Sequence, residues 1–232
     1  MRTPLTRIAD ISIAIATALG VVALTIPLFL NPLWVGFEQG RAQATAWTGF
    51  SEMELRSATD AILSDLVFGP PDFDVAVGGA PVLEERERAH MRDVRDVFIG
   101  FFVVAVVLAA VAVAVAVMRR PDQRPRTWRA IRVGAIGLVA TLLVAGVVAF
   151  VAFDALFEVF HRLLFAGDSY AFDPSTERLV QLFPFRFWQE TAIAVGAVAI
   201  VVASMVAAVA HRHLALAPTR QTGPATFESS RP

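Results

Sequence analysis

Two histidines hold the positions from which this chain could do acid–base chemistry. His90 stands in LEERERAHMRDVRDVF, just ahead of a long apolar run, and His161 in FDALFEVFHRLLFAGDSYAFDP, just after another. Imidazole is the one side chain whose ordinary pKa allows proton exchange near neutrality. Asp154, Glu158 and His161 are spaced i, i+4 and i+7, so one face of a helix would carry all three. A carboxylate beside the imidazole would orient it and fix its tautomer. His90 has Arg86 four residues before it and Asp93 three after, and Asp93 is its expected orienter. Taken one at a time, each histidine reads more simply as a solvated helix end or a surface residue.

Other chemistry is thinly represented. Gly167-Asp168-Ser169-Tyr170-Ala171 faintly resembles a hydrolase nucleophile elbow, but it lacks the final glycine and a strand–turn–helix setting. Asp173 in Phe172-Asp173-Pro174-Ser175 reads as the cap of a turn. His211 and His213 form an HxH pair among arginines with no third ligand in view, so no metal is expected. The chain has no cysteine, which excludes thiol nucleophiles, thiolate metal sites and disulfides. All 20 basic residues are arginine, which excludes Schiff-base, P-loop and serine–lysine chemistry.

The elements that position these residues are apolar. Of 232 residues 56% are hydrophobic and only 18% charged, whereas a soluble domain is about a quarter charged. A membrane-crossing helix needs roughly 20 apolar residues. Four stretches meet that length, at about 8–30, 97–118, 133–153 and 188–210. Backbone polar groups find no water in lipid, so these stretches are helices. The fold class is therefore an all-α membrane protein with four transmembrane helices. The first stretch is too long for a cleaved signal peptide and has no small-x-small site after it.

Short arginine-rich loops stay in the cytoplasm. Placing residues 119–132 and both termini there gives that face 11 arginines against three acids. The other face then holds 9 arginines against 18 acids. This puts both termini in the cytoplasm and two outer loops, 31–96 and 154–187, in an extracytoplasmic cap. In the first loop, Ser51 followed by Glu54 signals a capping box. Met53, Leu55, Ile62, Leu63, Leu66 and Val67 then mark an amphipathic helix, either lying on lipid or packed in an outer domain. GPPDFDVAVGGAP reads as a turn-rich connector with room for one short strand. Phe183, Phe185, Phe187 and Trp188 read as an interfacial aromatic belt. Residues 214–232 read as a disordered cytoplasmic tail.

Several runs carry a resemblance when taken together. Glu85-Arg86-Glu87-Arg88-Ala89-His90-Met91-Arg92-Asp93-Val94 resembles an S-E-x-E-x-x-H-M-x-D-V pattern. Phe160-His161-Arg162-Leu163-Leu164-Phe165, followed by Gly167-Asp168-Ser169-Tyr170-Ala171-Phe172-Asp173-Pro174, resembles F-H-x-x-F-F-x-x-D-x-W-x-F-D-P. Leu182-Phe183-Pro184-Phe185-Arg186-Phe187-Trp188 stands where a leucine–proline motif and aromatics are expected. The set resembles the four-span bacterial lipoprotein intramolecular transacylase family, known as Lit. Two positions depart from the pattern: Tyr170 replaces a tryptophan, and Glu84-Glu85 replaces the Ser-Glu opening.

The resemblance implies an enzyme of the bacterial cytoplasmic membrane, its site on the extracytoplasmic face. It would move the sn-2 acyl chain of a diacylglyceryl-cysteine lipoprotein to that cysteine's α-amino group, without a cofactor. Expected partners are the lipoprotein and membrane lipids, not nucleic acid. Under this resemblance His161 is assigned as general base and His90 as oxyanion donor or acid, with the reverse assignment open. Asp93 and Asp168 are candidate orienters or amine ligands, Asp173 is a structural support, and Glu158 and Tyr170 are supporting residues. The rival readings are a noncatalytic membrane scaffold or sensor, and a lipid acyl hydrolase or acyltransferase using Ser169.

Overall fold

A computed structural model describes residues 4–165, 167 and 169–216. The tail reading from residue 217 onward, and Asp168, lie outside the described residues. Four long helices carry the chain: α1 (Pro4–Thr25), α5 (Glu85–Met118), α6 (Arg124–Leu164) and α8 (Phe185–Ala215). Each is long and apolar enough to cross a membrane. Short helices α2 (Pro32–Arg41), α3 (Ala44–Thr48), α4 (Glu52–Val67) and α7 (Arg178–Leu182) gather at one end of the bundle. They are joined there by a two-residue hairpin, β1 (Ala76–Val77) and β2 (Ala80–Pro81).

The bundle packs through small side chains. α6 lies against α8, while α1 lies between α5 and α6, which barely touch each other. Ala16, Ala135, Ala199, Ala203 and Ala210 are buried, whereas many valines of α5 and α6 face outward. Lipid tails are as apolar as valine, so close backbone approach holds such helices together. Gly134 is the tightest case. A Cβ there would stand 2.2 Å from the carbonyl oxygen of Ala14, so only glycine admits this crossing of α1 and α6. At the arginine-rich end, the Arg119 guanidinium is buried against Asp10 and donates to Thr127 Oγ1 at 3.0 Å.

The densest hydrophobic core lies in the cap. Val35 of α2, Leu55 and Ile62 of α4, Phe73, Val82, Met91 of α5, Leu182 of α7 and Phe187 of α8 share it. α4 is thus packed into this core through Leu55, Ile62, Leu63 and Leu66, while Met53 and Val67 remain exposed. Its capping box forms as expected: Ser51 Oγ accepts the Glu54 amide and Glu54 Oε2 accepts the Ser51 amide. Its other end is closed by α5, where Arg95 donates to the carbonyls of Asp65 and Gly69. A cation suits the negative end of a helix dipole. The connector holds two short strands where one was expected. Gly78 and Gly79 turn between them at φ 61° and 81°, the left-handed pair that a tight two-residue hairpin requires.

α7 has no counterpart in the sequence expectations. Three hydrogen bonds to the rest of the cap hold it. Gln39 donates to the Leu182 carbonyl at 3.0 Å, Glu87 accepts the Leu179 amide at 2.6 Å, and Arg178 donates to the Thr48 carbonyl at 2.6 Å. The aromatic belt also divides. Phe183 and Phe187 are cap core, while Phe185 and Trp188 stay exposed as a belt would.

Candidate active site

Helix length brings the two histidines together. α5 has 34 residues and α6 has 41. At 1.5 Å per residue they run about 51 and 62 Å, well beyond a hydrocarbon core of about 30 Å. The excess of each rises into the cap, with His90 near the start of α5 and His161 near the end of α6. α6 breaks its helical path at Ala152 (φ −147°, ψ 52°), and the segment beyond the break carries His161.

The imidazoles face each other with ring centroids 6.1 Å apart and planes 25° from parallel. Both are nearly closed off from solvent, at 5% exposure for His90 and 8% for His161. Phe165 touches both rings, at 4.8 Å from His90 and 5.5 Å from His161. Phe172 lies 5.3 Å from His90, and Phe157 and Tyr170 lie 4.1 and 5.0 Å from His161. The pair therefore sits in an aromatic box.

His161 has a fixed tautomer. Its Nδ1 is 2.8 Å from the carbonyl oxygen of Phe157, which can only accept. Nδ1 therefore carries the proton, and Nε2 of the neutral ring presents a lone pair. This is the arrangement of a general base. His90 is different. Its Nδ1 is buried and has no hydrogen-bond partner among the described residues. A buried polar atom left without a partner costs about 1–3 kcal/mol. An incoming substrate group is a natural partner for it.

The carboxylates play other parts than expected. Glu158 does not hydrogen-bond His161; it accepts from Arg162 at 2.8 Å and from the Tyr170 hydroxyl at 3.1 Å. Desolvation and the Glu158 carboxylate both push the Tyr170 phenol up, so it remains a donor. Asp154 and Asp93 are exposed, and Asp93 makes no hydrogen bond to His90 Nδ1. Asp173 caps its own turn, accepting the Ser175 hydroxyl at 2.7 Å and the Ser175 amide at 2.8 Å. Those two donors hold its carboxyl below its ordinary range. The Ser169 hydroxyl is buried and joined to neither histidine, so no nucleophile–base pair is present among the described residues.

Two supporting residues escaped the sequence reading. Glu87, one helical turn before His90, is fully buried. Its carboxylate accepts the Glu84 amide at 2.7 Å and the Leu179 amide at 2.6 Å, closing the start of α5 against α7. Arg86 pairs with Glu177, donates to the Ala171 carbonyl at 3.0 Å, and stands 4.6 Å above the Phe172 ring. It thereby holds Phe172 against His90. The spacing Glu87–His90 was visible as part of the motif, but its partner lies 92 residues away.

Comparison with known proteins gives the family and the fold. The family described as lipoprotein intramolecular transacylase Lit matches residues 11–188. A solved structure of the membrane integral lipoprotein intramolecular transacylase Lit from Bacillus cereus superposes with a TM-score of 0.74 at 17% identity, covering 91% of this chain and 96% of that one. A form of the same protein with one histidine replaced by alanine gives 0.73 at 17% identity, covering 91% and 94%. At that identity the structures speak for the fold alone, while the family match spans most of the chain. No curated protein matches.

Proposed function

The chain belongs to the lipoprotein intramolecular transacylase (Lit) family, and on that premise we propose how His161 and His90 divide the reaction between them. The substrate is a diacylglyceryl-cysteine lipoprotein. Its free α-amine attacks the carbonyl carbon of the sn-2 ester. His161 Nε2 takes a proton from the attacking nitrogen, because its Nδ1–H is already committed to Phe157. His90 faces the developing oxyanion and donates to it. The C–N bond forms, the C–O bond breaks, and the proton held by His161 passes to the departing sn-2 oxygen. The products are an amide on the cysteine nitrogen and a free hydroxyl on the glycerol. No acyl-enzyme forms, and no co-reactant is consumed.

The observation that carries this reading is the 6.1 Å separation of two buried imidazoles within one aromatic wall. Amine and ester belong to one molecule, so the enzyme's task is to hold them in reach and keep water away. Proximity of that kind is worth about 7–11 kcal/mol of barrier in well-oriented systems. Rings of Phe157, Phe165 and Phe172 around the pair serve the exclusion of water. The arginine asymmetry supports a cap on the extracytoplasmic side with both termini in the cytoplasm. The same asymmetry and the hydropathy support spans at about 97–118 and 133–153, leaving both histidines above the apolar core.

The test is mass spectrometry of lipoprotein N-termini from a host that lacks other N-acylating enzymes and expresses this chain. N-acylated, lyso-form N-termini are expected. Unchanged diacylglyceryl N-termini, with the protein confirmed in the membrane, would sink the assignment.

A further inference from the structure

The arginine-rich end of the bundle carries a charged edge that the acyl transfer does not use. Trp128 of α6 and His213 of α8 stack there almost flat, with ring centroids 4.0 Å apart and planes 7° from parallel. Arg124 and Arg132 stand four residues before and four after Trp128, so the face of α6 that meets His213 carries a guanidinium on either side of this plate. Arg132 immediately precedes the apolar run at about 133–153, and His213 follows the run at about 188–210 by three residues. The plate therefore sits at headgroup depth, where tryptophan is ordinarily enriched.

The cations of this edge are unspent. The acids at this end among the described residues are Asp10 and Asp122. Asp10 is taken by the buried Arg119, and Asp122 faces Arg120 at 4.0 Å. Arg124 and Arg132 make no hydrogen bond or ion pair among the described residues. Toward the span the edge turns apolar. The four-residue row of Arg124, Trp128 and Arg132 runs on to Ile136, which is 48% exposed. On α8, Val209 stands four residues before His213 and is 49% exposed.

We propose that this edge binds an anionic phospholipid of the phosphatidylglycerol kind. The phosphate would accept from Arg124 and Arg132, the glycerol would rest against the Trp128–His213 plate, and an acyl chain would run along Ile136 and Val209 into the bilayer. Guanidinium groups without a carboxylate partner suit a phosphodiester, whose oxygens match their fork of donors. An apolar row that continues from the second arginine into the span suits a ligand with chains. A headgroup carrying its own ammonium would bring a third cation beside two others, so ethanolamine and choline lipids match less well. The site is also local. Arg126 stands just over half a turn from Trp128, on the other side of α6, and is exposed.

The experiment titrates the full-length, delipidated protein in detergent and follows lipid adducts by native mass spectrometry. Phosphatidylglycerol is expected to bind roughly 10- to 30-fold tighter than phosphatidylethanolamine or phosphatidylcholine, the scale of two arginines meeting one anionic headgroup. In the double variant Arg124→Gln/Arg132→Gln that preference should disappear. In Arg7→Gln/Arg126→Gln, which removes the same charge from the same end, it should persist. Glycerophosphoglycerol, the headgroup without chains, should compete only weakly. Equal binding of the three lipids to the unmodified protein overturns the proposal and needs no variant to fold. Preference retained in Arg124→Gln/Arg132→Gln, or lost equally in both double variants, overturns the local site, and strong competition by the soluble headgroup overturns the assignment to a lipid.

Discussion

The Glu87 carboxylate accepts the amide of Leu179 at 2.6 Å, joining the first turn of α5 to α7 across 92 residues of chain. The same side chain closes the capping box at Glu84. A single buried carboxylate thus sets where α5 begins and where the second loop docks, one turn away from His90. Glu87→Gln keeps one carbonyl acceptor but turns an NH2 group toward the other amide. The expected loss is about 1–3 kcal/mol, the scale of leaving a buried donor unmet. Thermal unfolding of the purified protein in detergent should show a midpoint lowered by several degrees.

On the proposed division of roles, His161→Ala removes the base and His90→Ala removes the donor facing the ester. Each should lower N-acylation by roughly 10²- to 10⁴-fold, the range ordinarily contributed by positioned acid–base groups. Membrane expression should be unchanged. Quantitative mass spectrometry of lipoprotein N-termini beside an immunoblot of the membrane fraction separates the two effects.

Arg86 acts through Phe172. Arg86→Gln removes the ion pair to Glu177, the bond to the Ala171 carbonyl and the guanidinium over the ring. Phe172 is then free to leave His90. A fall of roughly 10- to 100-fold in turnover is expected, as for small misplacements near a reacting centre. Arg86→Lys should restore little, because an ammonium cannot bridge the carbonyl and carboxylate while lying flat on a ring. Turnover of a purified diacylglyceryl lipopeptide would measure both variants.

Activity should fall on the acid side. His161 accepts a proton only when neutral, so protonation of Nε2 removes the base and the rate declines as pH drops. A pH–rate profile of the unmodified protein is expected to show this limb, and the residual rate of His161→Ala should lack it.

The cap has its own pH signature. The Ser51 hydroxyl and amide hold the Glu54 carboxyl below its ordinary range. A carboxyl with a depressed folded pKa stabilises the fold above its unfolded value, about 4.3, and that contribution is lost as pH falls through the folded value. Ser51→Ala should therefore lower the unfolding midpoint at pH 7, and the gap to the unmodified protein should narrow below pH 4.

Gly134→Ala would place a Cβ 2.2 Å from the Ala14 carbonyl oxygen, a separation no relaxed side chain tolerates. α1 must shift away from α6. Overpacking of this kind typically costs about 1–3 kcal/mol. Thermal unfolding in detergent is the check, with the nearby open position Gly137→Ala expected to be nearly silent.

The four long apolar helices and the Ser51 capping box were legible because each is local, whereas the two histidines were joined only by the motifs that carry the family resemblance. Hydropathy over 20 residues and a three-residue spacing suffice for the helices and the box. The orienter of His161 was not legible, since Glu158 stands three residues before it on the same face while the Phe157 carbonyl, four residues before it, is just as reachable. Glu158 instead satisfies Arg162 and Tyr170. α7 was missed for a different reason. Five residues cannot carry a periodic pattern, and its position depends on Gln39, Glu87 and Arg178. Phe183 and Phe187 looked like belt aromatics because composition alone does not say which rings turn inward.

The cap core draws on Val35 near the start of the chain and on Phe187 at the head of α8. Ribosomal synthesis delivers these in order, so three helices can enter the bilayer before the last core residues exist. Until α7 and Phe187 emerge, Glu87 lacks its Leu179 partner and the loop holding Phe172 has no anchor at its far end. A nascent chain thus carries both histidines in the membrane without a sealed box around them. The closed box around the histidines forms only once the helix carrying Phe187 is made.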